Sequence, residues 1–230
     1  MKISGLTKLT ILDFPGKVAA MLFTEGCNFR CPWCHNSGVV NGRWELIGED
    51  EILAFLEKRK GVLDGLVISG GEPLLQEDLI AFMFKVKKLG YAIKLDTNGF
   101  LTDKLKEILE LGLVDYVAMD IKDAPAHYAR TIGLKTFNPN PILESIKILE
   151  ESGVEHEFRT TCIKGLTTNE SIEQIAKLIP NSAHYYLQDF KDSGDLLGDA
   201  SKFQSFSASE MKELLEVAQK YNGNTAIRGV

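Results

Sequence analysis

A chain of 230 residues with 44% hydrophobic and 9% aromatic content is long enough to bury one sizeable core, and it reads as a single domain over 1–230. Its net charge of −6 is spread in small mixed groups, without a basic patch for nucleic acid or anionic lipid. The opening residues lack a signal-peptide pattern, and the apolar run Val18 to Phe23 is too short to span a bilayer. A soluble, cytoplasmic protein with no nucleic-acid or membrane partner is therefore expected.

In chain order, short apolar runs alternate with segments of helical period. The runs Val18–Thr24, Leu66–Ser69, Ala92–Thr97, Tyr116–Ile121, Glu155–Ile163 and His184–Phe190 read as strands. Helices are expected over Asp50–Arg59, Leu75–Leu89, Thr102–Leu111, Pro141–Ser152, Thr168–Ile179 and Ser207–Tyr221, with Gly90 and Gly112 as C-terminal stops. This rhythm predicts an α/β fold of six parallel βα units, as an open sheet or most of a (β/α) barrel. In both architectures chemistry gathers at the carboxyl ends of the strands. The unusual polar groups do follow strands: "GCNFRCPWCHN" the first, "GGEP" the second, "DTNG" the third and "MDIK" the fourth. Lys191–Ser205 reads as an irregular surface loop.

Cys27, Cys31 and Cys34 put three of the four cysteines within one short loop, spaced C-x3-C-x2-C. In a reducing compartment such clustering points to metal or redox chemistry. A structural zinc could take these three and His35, although adjacent residues are awkward partners on one tetrahedral ion. An iron–sulfur cluster normally takes four cysteines, so three would leave one iron with an open position. Cys162 sits alone in an apolar strand and reads as a buried thiol.

"GCNFRCPWCHN" resembles the cluster loop of the radical S-adenosylmethionine (SAM) superfamily, with Trp33 at its aromatic position. The resemblance implies a partial (β/α)6 TIM-like barrel with a core over about 16–190 and a C-terminal helix and tail at 207–230. It also implies a [4Fe–4S] cluster on Cys27, Cys31 and Cys34. SAM would complete the fourth iron and be cleaved reductively to a 5′-deoxyadenosyl radical. Carried over by motif, Gly70, Gly71 and Glu72 would meet the methionine end of SAM. Thr97 and Asn98 would lie near its ribose and methionine portions, Asp120 and Lys122 near its carboxylate and ribose, and Trp33 beside its adenine. Each has a plainer role available: turn and helix cap for Thr97-Asn98-Gly99, an ion pair for Asp120 and Lys122, loop packing for Trp33. Asp96 and Asp120 could share a cation. Arg159 and Gln188 are candidates for the interior of the site.

The segment from Gly5 to Asn36 resembles the glycyl-radical-enzyme activases, most closely those of anaerobic ribonucleoside-triphosphate reductase, which open with a similar Asp-aromatic-Pro-Gly turn; the C-terminal "TAIRGV" is like that branch too. This implies a glycyl-radical enzyme as partner and flavodoxin or ferredoxin as reductant. A pyruvate formate-lyase-type activase, a small-molecule enzyme of the deazapurine type and a non-enzymatic zinc or iron–sulfur protein are the alternatives.

Overall fold

The computed structural model describes residues 1–191 and 196–229, so positions 192–195 of the expected loop and the last residue lie outside it. Among the described residues eight strands form one sheet: β1 (Ile3–Thr10), β2 (Ala19–Thr24), β3 (Gly65–Gly70), β4 (Ala92–Thr97), β5 (Tyr116–Asp120), β6 (Glu155–Cys162), β7 (His184–Asp189) and β8 (Thr225–Arg228). The helices are α1 (Ser37–Val40), α2 (Glu49–Lys58), α3 (Leu79–Lys88), α4 (Thr102–Glu110), α5 (Tyr128–Thr131), α6 (Asn140–Ser152), α7 (Asn169–Leu178) and α8 (Ala208–Gln219). The strands are hydrogen-bonded in chain order from β1 to β8. A doubly wound sheet reverses its order at a switch point, whereas a (β/α) barrel does not, so the sequential order selects the barrel type.

All six expected strands are present. Two further ones extend the sheet, and the first of them corrects the all-parallel expectation. β1 pairs with β2 in the antiparallel sense, and β8 adds in parallel beyond β7. β1 has no clean alternation to announce it: residues 7–9 are exposed in succession. β8 has only four residues. The helix expected from Leu75 starts later, because Pro73–Leu75 forms a 3-10 turn whose first free N–H, on Leu74, is taken by the Glu72 carboxylate at 3.1 Å.

By internal packing the chain divides into two compact units. The first comprises Met1–Asn28, Gly38–Thr97 and Asp103–Val117, the second Phe29–Ser37, Asn98–Thr102 and Ala118–Val230. In the first unit Phe14, Ala19, Val67 and Tyr116 form a buried apolar cluster, with Phe14 and Tyr116 ring centroids 6.3 Å apart. Phe14 belongs to the Asp13-Phe14-Pro15-Gly16 turn, held by Thr10 Oγ1, which donates to the Asp13 carboxylate and accepts from Leu12 N and Asp13 N. In the second unit Phe29, Phe100, Tyr128 and Phe137 stack edge and face, Tyr128 and Phe137 at 4.9 Å. Each aromatic contact contributes about 1 kcal/mol beyond the area it buries.

Candidate active site

The cysteine loop leaves the carboxyl end of β2, and its first part lies in the first unit. Gly26, at φ 88°, turns the chain, and its N–H donates to Val39 O at 3.0 Å. The end of β3 presses against it. A Cβ on Gly71 would stand 1.8 Å from Gly26 O, and one on Gly70, at φ 126°, would stand 2.2 Å from Thr24 N. No side chain can be accommodated at either place. The N–H groups of Gly71 and Glu72 donate to Thr24 O at 2.9 Å and Gly26 O at 2.8 Å. Both donors of the turn are thus engaged by the strand and loop beside it.

Glu72 is buried, and its Oε1 accepts from Thr97 Oγ1 at 2.8 Å as well as from Leu74 N. Glu72 and Thr97 are thus joined across β3 and β4. Two residues before Asp96, the buried Lys94 donates to the Asp96 carboxylate.

The rest of the loop lies in the second unit, where α5 and the residues after it brace it. Arg30 N donates to Ile132 O at 2.9 Å, and the buried Trp33 donates through Nε1 to Thr131 O at 3.1 Å. Gly133, at φ 71°, lies so close to Arg30 O that a Cβ would stand 2.2 Å from it. Beyond the loop, Gly198 N donates to Pro32 O at 2.7 Å and Leu197 N to Cys34 O at 3.2 Å. His35 stacks on Phe190 with ring centroids 5.2 Å apart.

Asp120, at the end of β5, is the centre of an ion triad. Arg159 Nε donates to its Oδ1 at 2.8 Å and Lys122 Nζ to its Oδ2 at 2.9 Å. Burial opposes its ionisation, but the charges of Arg159 and Lys122 outweigh that and hold the carboxyl well below the usual carboxylate range. Burial likewise works against the Lys122 ammonium, and Asp120, with help from Cys31, raises its pKa. Lys122 Nζ also stands 5.3 Å from the centre of the Trp33 ring.

Two groups of the expected site residues result. In the first unit Gly70, Gly71, Glu72 and Thr97 adjoin the segment that leads to Cys27. In the second Cys31, Trp33, Cys34, Asp120 and Lys122 are joined by Arg159, and Phe100 N donates to Asn98 Oδ1 at 3.0 Å, an Asx turn. Asp96 is paired with Lys94 in the first unit, and Asp120 with Lys122 and Arg159 in the second. Gln188 is half-buried on β7, in register with Thr161 of β6 and Arg228 of β8. Lys94 went unnoticed in the sequence, though a lysine alternating with an aspartate inside an apolar strand was a signal.

The family description "Radical SAM superfamily" matches residues 21–179. A Methanocaldococcus jannaschii protein that carries the provisional name glycyl-radical enzyme activating enzyme MJ1227 is 32% identical over 232 aligned residues, covering 99% of this chain and 96% of that one. The pyruvate formate-lyase-activating enzyme of Clostridium pasteurianum is 31% identical over 78% of this chain and 76% of its own. Among solved structures, Streptococcus suis SuiB bound to the precursor peptide SuiA shares the fold with a TM-score of 0.69 at 18% identity, over 91% of this chain and 48% of that one.

Radical SAM enzymes use a [4Fe–4S] cluster and SAM, and the donor set here fits that group. Three cysteines lie on one loop. The fourth, Cys162, is fully buried in β6, where burial pushes its thiol pKa up and makes it a poor ligand. Among the described residues no three His, Cys, Asp or Glu side chains are gathered to hold a single ion, so the fit rests on the kind and number of donors. By the family match and by its near full-length relative, the chain belongs to the radical SAM superfamily, in its family of glycyl-radical-enzyme activating enzymes.

Proposed function

We propose that this chain installs the glycyl radical of an anaerobic ribonucleoside-triphosphate reductase, drawing its electron from a flavodoxin or ferredoxin in the cytoplasm. The observation that carries the chemistry is the set of three loop thiols, Cys27, Cys31 and Cys34, with the remaining cysteine shut away in β6. Three thiolates leave one iron of a four-iron cluster without a protein ligand. When bound there, SAM would supply, on one-electron reduction with release of methionine, a 5′-deoxyadenosyl radical, the chemistry needed to take a hydrogen atom from a glycine α-carbon of the partner.

The chain's own residues bind and orient. Carbonyls of the Gly70-Gly71-Glu72 turn accept from the SAM ammonium. Thr97 and Asn98 line the ribose and methionine portions. Lys122 meets the carboxylate, held in place by Asp120, and Trp33 flanks the adenine. The choice of reductase as partner is supported by the Asp13-Phe14-Pro15-Gly16 turn and the "TAIRGV" ending. Phe14 is a core residue, so the turn marks a branch of the family and does not itself read a substrate. A second reading, a pyruvate formate-lyase-type activase, is favoured by the 31% identity to the Clostridium enzyme.

The test mixes anaerobically reconstituted chain, SAM, a strong reductant and the host's own glycyl-radical reductase. A glycyl signal by electron paramagnetic resonance (EPR), with 5′-deoxyadenosine by mass spectrometry, is expected, and both should vanish in Cys34→Ala. Deoxyadenosine without a glycyl signal on the reductase would reject that partner, and the lyase or a small molecule would become the substrate to try. Neither product from a filled cluster would reject activation altogether.

A further inference from the structure

The backbone just ahead of Cys27 presents three consecutive carbonyls, on Thr24, Glu25 and Gly26, and the segment Gly71–Gln76 donates a hydrogen bond to each. Gly71 N reaches Thr24 O at 2.9 Å, Gln76 Nε2 reaches Glu25 O at 2.9 Å, and Glu72 N reaches Gly26 O at 2.8 Å. Two of the three are backbone bonds that survive any change of side chain. The middle one depends on Gln76 alone.

Gln76 is only 7% exposed. Its Oε1 accepts from Lys2 N at 3.0 Å, at the entry to β1, while its own carbonyl accepts from Lys104 Nζ of α4. The side chain must therefore donate and accept at once. A primary amide does both; a carboxylate cannot donate and a thioether is a weak acceptor without a donor. The position matters because Gly26, at φ 88°, is the most pliable link before the first cysteine. Bonds to Glu25 O and Gly26 O clamp that link from both sides, and so fix where Cys27 begins relative to the Gly70-Gly71-Glu72 turn.

We propose that Gln76 is a positioning residue that holds Cys27 in register with the Gly70-Gly71-Glu72 turn, and that this register sets the affinity for SAM. The proposal rests on reading the loop as the cluster segment and the turn as the SAM segment. Gln76→Met keeps the length and removes both hydrogen-bonding roles. Gln76→Glu keeps the acceptor for Lys2 N and removes the donor to Glu25 O.

Amide hydrogen exchange on the cluster-free chain comes first. Both variants should exchange about tenfold faster across 25–28 and at the wild-type rate in β4 and β6, the size expected for one lost buried hydrogen bond. After reconstitution, iron content should match wild type. A titration of the SAM-induced change in the EPR spectrum of the reduced cluster should show affinity lower by about tenfold. In SAM cleavage, KM should rise by a similar factor while kcat stays within about twofold.

Unchanged exchange at 25–28 with unchanged SAM affinity overturns the proposal. So does a general loss of stability and iron with no selective effect on SAM, which would make Gln76 a fold residue only. If Gln76→Met does not fold, Gln76→Glu is read by the same criteria, and failure of both to fold counts against positioning. A wild-type cluster that shows no response to SAM would sink the reading of the site itself, and the exchange comparison would still decide the role of Gln76.

Discussion

Asp120 shows how a residue plainly visible in the sequence acquires its meaning from a pairing that is not. The "MDIK" string offers Asp120 and Lys122 as a local ion pair, and the pair is there, 2.9 Å apart. The second cation, Arg159, comes from 39 residues further on and could be connected to Asp120 only through the pairing of β5 with β6. Removing the charge by Asp120→Asn leaves two half-buried cations without their counter-ion, at a cost of about 3 kcal/mol in unfolding free energy. The folded carboxyl is held low, so its contribution is present above the unfolded pKa near 3.9 and is lost as the pH falls below it. Urea unfolding of the two proteins should accordingly show a constant gap from about pH 7 down to about pH 4, closing in stronger acid. A gap that widens on acidification would refute the assignment. Glu72 and Thr97 carry the same lesson. Both stand in motifs that the sequence displays, but their hydrogen bond to each other, at 2.8 Å, needs β3 and β4 side by side.

At the scale of elements, the six βα units were legible because each buried strand is a compact apolar run and each long helix keeps a 3.6-residue period. The glycine stops were legible too: Gly90 and Gly112 have φ of 90° and 62°. What escaped were the pieces too short or too irregular to carry a period. α1 and α5 have four residues each, yet α5 and its following turn brace the cysteine loop at Arg30 and Trp33. The two glycine types separate by this logic. Gly71→Ala places a methyl 1.8 Å from a backbone oxygen that no rotamer change can relieve, so the cysteine loop itself must move. We expect a loss of about 3 kcal/mol, the upper end for overpacking, together with poor cluster incorporation. Gly112→Ala meets nothing within 4 Å and strains only the backbone at φ 62°, which should cost about 1 kcal/mol and leave iron content unchanged. Equal effects of the two substitutions on iron content would contradict the close approach of β3 to the loop.

For the whole molecule, composition and charge set limits without naming a task. The net charge is −6, and among the described residues no helix is long and apolar enough to cross a membrane. The strand order, sequential from β1 to β8, is what turns a generic α/β reading into the barrel type. It was not decidable from periodicity, because open sheets and barrels are written with the same alternating units. Fold alone does not choose a substrate; the account depends on three thiols leaving one iron open to SAM. The most direct measurement is electron–nuclear double resonance on the reduced, reconstituted chain mixed with SAM carrying an isotope label on its amino nitrogen. The account predicts about four irons per chain, unchanged in Cys162→Ala, and a hyperfine coupling from the labelled nitrogen that disappears in Cys34→Ala. A full cluster that shows no coupling to the label, or a site that takes up zinc in place of iron, would contradict it.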